Sequence, residues 1–365
     1  MGGEVRSFLY GITFAVSAFM VLALVMTIVW FLLKRRYRLS TPADERHRAR
    51  TRDGWDLALY RYRPSRMVPE REPVILCHGM LTNRFNVDLN EQTSLARYLR
   101  DEGFDTWVME LRGHGGSRRA AGEDGRGFDW DLDDYILRDV PAAIQTVRGT
   151  TGSRQVHWFG HSMGGMLLYA ACTLPAIRDC IRSAVLSDAP ATFGPLHRPV
   201  RLGRFYGKLF PAVPPAAVLV FLGPLAWLAP AILRRRYGLD NREQVMSVLA
   251  NALIDWGSSR VLLQLCEMLE SGRFLSVDGT IDYERGAGLV DFPLLVLSSA
   301  RTAMSEEAVR AGLERSRATH KRHVRFGRAD GYSRDYTHAN LLVADTSRDE
   351  IFPEVTAWFR SHSSA

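Results

Sequence analysis

One six-residue stretch constrains this chain more than any other: Gly160-His161-Ser162-Met163-Gly164-Gly165. It follows a short apolar run at 155–159 that reads as a buried strand, and it opens an apolar stretch at 163–174 that reads as a helix. A chain that passes from strand to helix in so few residues must turn sharply, and the residue at the apex is pushed into strained backbone. Glycines at 160 and 164 permit the turn, because a β-carbon at either place would collide with the adjoining strand or helix. The turn projects the Ser162 hydroxyl away from the sheet, and the amino end of the following helix supplies a favourable field for developing negative charge. Ser162 is therefore the candidate nucleophile.

Around this turn, apolar runs alternate with amphipathic stretches. Strand patterns occur at 51–62 (a hairpin-like pair), 73–77, 105–110, 184–187, 293–297 and 323–326. Helical patterns occur at 94–101, 133–147, 305–315 and 350–360. Such alternation predicts an α/β fold, a mostly parallel sheet with helices on both faces. It breaks between 193 and 290, which is largely helical in pattern, most clearly at 244–254 and 260–269. Within it, 209–233 has no charge but carries Pro211, Pro214, Pro215, Pro224 and Pro230. Five prolines argue against a straight spanning helix, since each removes a backbone donor. The stretch reads as short apolar helices of a cap over the active site, dipping into a membrane surface.

The amino-terminal region carries a different signal. Residues 7–33 contain no charged side chain, more than the ~20 residues that cross a bilayer core as a helix. The basic cluster follows this run instead of preceding it, and Leu-Leu-Lys-Arg-Arg at 32–36 stands where a small-residue cleavage site would close a signal peptide. Trp30, Phe31 and Tyr37 sit where interfacial aromatics belong, and the positive-inside bias puts everything after Lys34 in the cytoplasm. The expected organisation is thus a single-pass membrane anchor at 1–38, a catalytic core at 39–192 and 291–365, and a helical cap insertion at 193–290. Residues 39–50 read as a polar tether.

The net charge of +7 is concentrated at Lys34, Arg35, Arg36 and Arg38 and continues at Arg46, Arg48, Arg50 and Arg52. Beside a membrane span this reads as contact with anionic lipid headgroups; no aromatic-interleaved groove points to nucleic acid. Hydrophobic content of 46% with 24% charge excludes wholesale disorder. Cys77, Cys172, Cys180 and Cys266 form no C-x-x-C pair and no metal-ligand spacing, so they read as free thiols in a reducing compartment. With no dinucleotide fingerprint either, neither cofactor nor metal is expected.

Six motifs run along the chain: Thr51-Arg-Asp-Gly-Trp55, Cys77-His-Gly-Met80, Gly103-Phe-Asp-Thr-Trp-Val108, Glu110-Leu-Arg-Gly-His-Gly115, the Ser162 turn and Tyr336-Thr-His338. On these residues the chain, over about 51–359 with the cap apart, resembles the α/β-hydrolase superfamily, closest to its acid-lipase-like and serine esterase branch. The resemblance implies an oxyanion loop after Cys77, with the backbone N–H groups of Met80 and Met163 as the two donors. It implies that His78 shapes that loop and does not act as a base. The general base must follow the serine and precede the last helix, which selects His338 over His320, His323, His362 and the adjacent His161.

The third partner departs from the family pattern. The usual aspartate follows the penultimate strand, but here that strand continues Ser298-Ser299-Ala300-Arg301-Thr302, and a threonine cannot offset an imidazolium charge. Asp188, just past the 184–187 strand, is the choice among carboxylates; Glu306, Glu307 and Asp335 are the alternatives. The expected function is hydrolysis of a hydrophobic acyl ester or lipid through an acyl-enzyme at Ser162. Acyl transfer and, if the acid is missing, a non-catalytic membrane-tethered binding protein are the other readings. Epoxide hydrolase or dehalogenase chemistry is disfavoured, since those members use an aspartate nucleophile.

Overall fold

The apolar runs become the inner strands of one nine-stranded sheet. The computed structural model describes residues 41–66, 71–119, 127–193, 198–213, 238, 242–252, 255–302 and 305–364, with scattered positions between 10 and 39. In chain order the strands are β1 (Glu45–Arg50), β2 (Trp55–Tyr62), β3 (Val74–Cys77), β4 (Thr106–Met109), the two-residue β5 (Arg118–Arg119), β6 (Val156–His161), β7 (Ile181–Ser187), β8 (Ala212–Val213), β9 (Gly257–Ser258), β10 (Leu294–Ser299) and β11 (Lys321–Phe326). The main sheet runs β1-β2-β4-β3-β6-β7-β10-β11, with β5 paired to β2. Every pair from β4 to β11 along this order is parallel; β1, β2 and β5 are antiparallel additions at one edge.

Successive residues of β6 feed opposite faces, as pleating requires. Trp158 packs on one side with Ile144, Met166 and Leu167, and Phe159 on the other with Phe104, Phe326, Phe352 and Phe359. Burying one such aromatic contributes about 1.5–3 kcal/mol, so both faces are strongly driven to be covered. Helices Val140–Thr151 and Met163–Ala171 cover the first face, and Leu95–Asp101 and Phe352–His362 the second. All four cysteines are free and buried.

Two local readings change, and a third falls mostly outside the described residues. The tether expected at 39–50 contains β1, whose alternating exposure and arginine-rich composition hide an edge strand. Its charges are answered by its neighbour: Arg50 donates to Asp56 at 2.6 Å, and Arg61 and Arg63 donate to Glu45 at 3.1 and 3.0 Å. Part of the basic run therefore serves the sheet. The helix expected at 133–147 is interrupted, with Tyr135–Asp139 in a π turn before Val140–Thr151, because Pro141 has no N–H to offer the preceding turn. The apolar, proline-bearing stretch at 209–233 lies outside the described residues from 214 onward.

Between β7 and β10 the described residues hold the helices Arg198–Leu209, Arg242–Ser247 and Ser259–Ser271 and the small β8–β9 ladder. The first and third helices approach closely at Gly207, where a β-carbon would come within 2.9 Å of Leu263 Cγ. Buried Gln264 ties the insertion to the core, accepting from Leu132 N–H at 2.8 Å and donating to Asp133 Oδ1 at 2.9 Å. The span expected at 7–33 falls partly outside the described residues; among the described residues no helix is long and apolar enough to cross a membrane.

Strand order reverses at β3: the chain steps to β4 on one side of it and then returns to β6 on the other. In open parallel sheets the crevice at the carboxyl ends beside such a reversal is where ligands bind. Register brings the relevant ends level, with Cys77 opposite Gly160, His161 opposite Ser187, and Ser187 opposite Leu297.

Candidate active site

Ser162 begins the helix Met163–Ala171 with φ +52° and ψ −119°, a conformation that costs a non-glycine residue about 1–3 kcal/mol and persists only where the surroundings enforce it. The enforcement is visible. Ser162 N–H donates to Ser187 O at 2.8 Å, and the N–H groups of Gly165 and Met166 close on Ser162 O at 3.0 and 3.1 Å. A β-carbon on Gly160 would stand 2.5 Å from Gly164 O, and one on Gly164 would stand 2.4 Å from Cys77 O. Ser162 is half-buried between the buried side chains of His161 and Met163.

The loop after β3 lies directly over the serine: a β-carbon on Gly79 would approach Ser162 Cβ to 3.2 Å. His78 builds this loop from inside. Its Nε2 accepts from Leu111 N–H at 3.2 Å, which leaves Nδ1 to donate to Gly79 O at 2.8 Å. Asn86 Oδ1 accepts Gly79 N–H at 3.2 Å, and Thr82 Oγ1 donates to Gly79 O at 2.9 Å. Met80 is exposed and Met163 buried, and both line a cavity of about 50 Å³ with His114, Tyr135, Gly257 and Val261. Among the described residues no acceptor takes the backbone N–H of either methionine.

At the end of β7, Asp188 adopts φ +45° with its side chain fully buried. Its carboxylate receives three hydrogen bonds, from Ser299 N–H at 2.9 Å, Ser299 Oγ at 2.5 Å and His338 Nδ1 at 3.2 Å. Residues 150 positions apart are thus brought together. The loop carrying His338 is fixed where Arg301 N–H donates to Tyr336 O at 2.9 Å and Thr337 N–H to Asn340 Oδ1 at 2.7 Å. The alternative carboxylates are engaged elsewhere or face solvent. Asp335 Oδ1 accepts from Arg328 N–H at 2.9 Å, Glu306 pairs with Arg325 at 3.3 Å, and Glu307 is exposed. Thr302 follows β10 and is half-buried.

Two further residues take part in this arrangement. Ser299 supplies two of the three donors to Asp188, yet a serine in an apolar strand names no partner 111 residues away. His161 has its ring 4.8 Å from that of His338, tilted by 34°, with Nδ1 3.4 Å from Ser187 Oγ. Burial first, and the neighbouring His338 second, hold His161 well below the ordinary imidazole range, so it presents an uncharged face to His338. Among the described residues no group of three or more His, Cys, Asp or Glu side chains is placed to hold a metal ion.

The buried histidines set an acid limit on stability. Burial lowers His78 and His157 to about 3, His114 to about 4, and His161 well below its ordinary value. In the unfolded chain all four protonate near 6.5, so below that pH the unfolded state binds more protons and folding weakens as pH falls. Glu110 and Asp139, raised by burial to about 7 and about 6, work in the opposite sense. With His323 also lowered and Asp131 also raised by burial, five groups against three give the expected result: the urea midpoint falls between about pH 7 and about pH 5. An equal or higher midpoint at the lower pH would contradict this balance.

A sheet of this order with a strained serine after its central strand defines the α/β-hydrolase fold. The family model described as alpha/beta hydrolase fold matches residues 72–241. Triacylglycerol lipase 2 of Arabidopsis thaliana is 30% identical over 176 residues, 46% of this chain and 41% of that protein. Gastric triacylglycerol lipase of Mus musculus is 29% identical over 148 residues, 38% of each. The chain spans about two fifths of the curated relatives it matches. Among solved structures, a thermophilic esterase from Thermogutta terrifontis superposes with a TM-score of 0.58 at 17% identity, covering 87% of this chain and 99% of that one. The monoacylglycerol lipase of Paleococcus ferrophilus gives 0.55 at 18% identity, covering 84% and 99%. The fold is that of the alpha/beta hydrolases, and the chain is similar over part of its length to proteins named as lipases and esterases.

Proposed function

We propose that this protein is a serine hydrolase that cleaves a hydrophobic acyl ester through an acyl-enzyme at Ser162. The observation that carries the reading is the Asp188–His338 pair at the carboxyl edge of the sheet where Ser162 also stands. His338 takes the Ser162 proton through Nε2 as Oγ attacks the ester carbon, while Nδ1–H donates to Asp188 and the carboxylate offsets the imidazolium charge. The N–H groups of Met80 and Met163 receive the oxyanion. Collapse of the tetrahedral adduct passes the proton to the leaving alcohol and leaves the acyl group on Ser162. Water, activated by the same imidazole, then releases the acid and restores the serine. The alternative of a non-catalytic binding protein rests on Thr302, and the Asp188 carboxylate beside His338 supports the catalytic reading over it.

A lipid ester is the favoured substrate class. Several relatives are named as lipases, and the 193–290 insertion, read as a cap, places Val213 and Val261 beside the cavity next to the serine. The anchor at 7–33 belongs to the same proposal, with the catalytic part on the cytoplasmic face. Described positions within 10–36 are helical, and Phe14, Leu24, Ile28 and Phe31 expose their side chains. The full chain in nonionic micelles is expected to hydrolyse acyl esters, with preference for longer acyl groups. Absence of hydrolysis at every chain length would overturn the proposal.

A further inference from the structure

A large cleft lies away from Ser162, where the end of the apolar amino-terminal segment meets the catalytic body. Its volume is about 1210 Å³, and five arginines line it: Arg35 and Arg38 from the amino-terminal segment, Arg46 and Arg118 from the edge strands, and Arg84 from the segment after the oxyanion loop. Two acids share the wall, and hydrogen bonds engage both Glu110 oxygens and Asp255 Oδ2. Glu110 accepts from Arg84 N–H at 3.2 Å and Gly116 N–H at 2.6 Å, and Asp255 Oδ2 accepts from Asn83 Nδ2 at 2.8 Å and Gly115 N–H at 2.9 Å. Among the described residues Arg35, Arg38 and Arg118 make no salt bridge and no side-chain hydrogen bond.

The cleft is held in shape. Buried Asn251 grips the segment leaving the helix from both sides, accepting from Leu39 N–H at 2.9 Å and donating to Tyr37 O at 2.8 Å. Arg84 and Arg97 donate to Thr41 O and Pro42 O, at 2.8 and 2.9 Å. Arg46 and Arg84 both lie over the Tyr60 ring, at 5.5 and 4.5 Å from its centroid, which orients their guanidinium planes. Arg84 also pairs with Asp88 at 3.8 Å and Arg46 donates to Gly116 O at 3.2 Å, which leaves Arg35, Arg38 and Arg118 as the guanidinium groups open to phosphate oxygens. Phe31, exposed, lines the same cleft, and the exposed Leu24 and Ile28 lie farther along the same apolar segment. A ligand that satisfies both halves has a phosphate-bearing anionic head and an apolar tail.

We infer that this cleft is a binding site for the headgroup of an anionic phospholipid, separate from the serine. Its arginines recognise the phosphate while the acyl chains lie against the exposed apolar side chains of the amino-terminal segment. The inference does not rest on the chemistry of Ser162.

Full chain in nonionic micelles, supplied with equal amounts of dioleoylphosphatidylglycerol and dioleoylphosphatidylcholine, tests it by native mass spectrometry. The phosphatidylglycerol adduct is expected to dominate. Because each basic residue near a lipid surface contributes about fivefold to anionic-lipid binding, R38Q/R118Q should reduce that preference on the order of twentyfold without altering the thermal midpoint. Ser162→Ala should retain the lipid as the wild type does, so loss of hydrolysis and loss of the headgroup site are separable. Equal retention of the two lipids, an unchanged preference in R38Q/R118Q, or displacement of the lipid by millimolar inorganic phosphate would overturn the inference.

Discussion

Ser162→Ala is expected to lower ester hydrolysis by at least about 10⁴-fold, since a nucleophile, base and acid act as a unit and removing the nucleophile leaves only the oxyanion donors and substrate binding. The fold should survive. Alanine keeps the β-carbon, and the φ of +52° is imposed by the Ser187 hydrogen bond and by the close approach of Gly160 and Gly164, none of which involves the hydroxyl. The thermal midpoint is therefore expected to stay near that of the wild type. Steady-state kinetics on a chromogenic ester beside a thermal melt checks both halves. Substantial residual hydrolysis in a folded variant would move the nucleophile elsewhere.

Asp188→Asn is the second large effect, expected at about 10⁴-fold in kcat because an amide neither offsets the imidazolium charge nor selects the productive tautomer. The geometry makes the comparison clean. Asparagine fits the same buried space, and its oxygen can still accept from Ser299 N–H, so the loop should hold. What changes is the partner of His338 Nδ1. Asp335→Asn is the control: three residues before His338, it accepts from Arg328 N–H and should leave kcat within a few-fold of wild type. Parallel kinetics of the two variants decides between them. If Asp335→Asn were the damaging change, the acid assignment would be wrong.

The turn at Ser162 was legible because its requirement is local: two glycines and a strand-to-helix switch occupy six consecutive residues. The inner parallel strands β3, β4, β6 and β10 are legible for the same reason, since each is a short run buried on both faces. The sequence points to Asp188 more weakly, only through its place just after a strand. What fixes it there, two donors from Ser299 and one from His338, depends on register across β7 and β10 and on the 336–340 loop, which no single stretch encodes.

β1 is hidden in the sequence because its arginines look like a solvated tether until Asp56 stands beside them and Glu45 within the strand. The same misreading hid the arginine-lined cleft. A charge run on paper became two populations in space, one paired within the sheet and one unpaired around the end of the apolar helix.

The central claim, a working serine nucleophile served by His338 and Asp188, is tested most directly by covalent labelling. Full-length protein treated with a fluorophosphonate should carry a single phosphonyl adduct on the peptide containing Ser162. The adduct should vanish in Ser162→Ala and form far more slowly in Asp188→Asn, while Asp335→Asn labels at the wild-type rate. A folded wild-type chain that takes up no label, or takes it on another residue, would contradict the account.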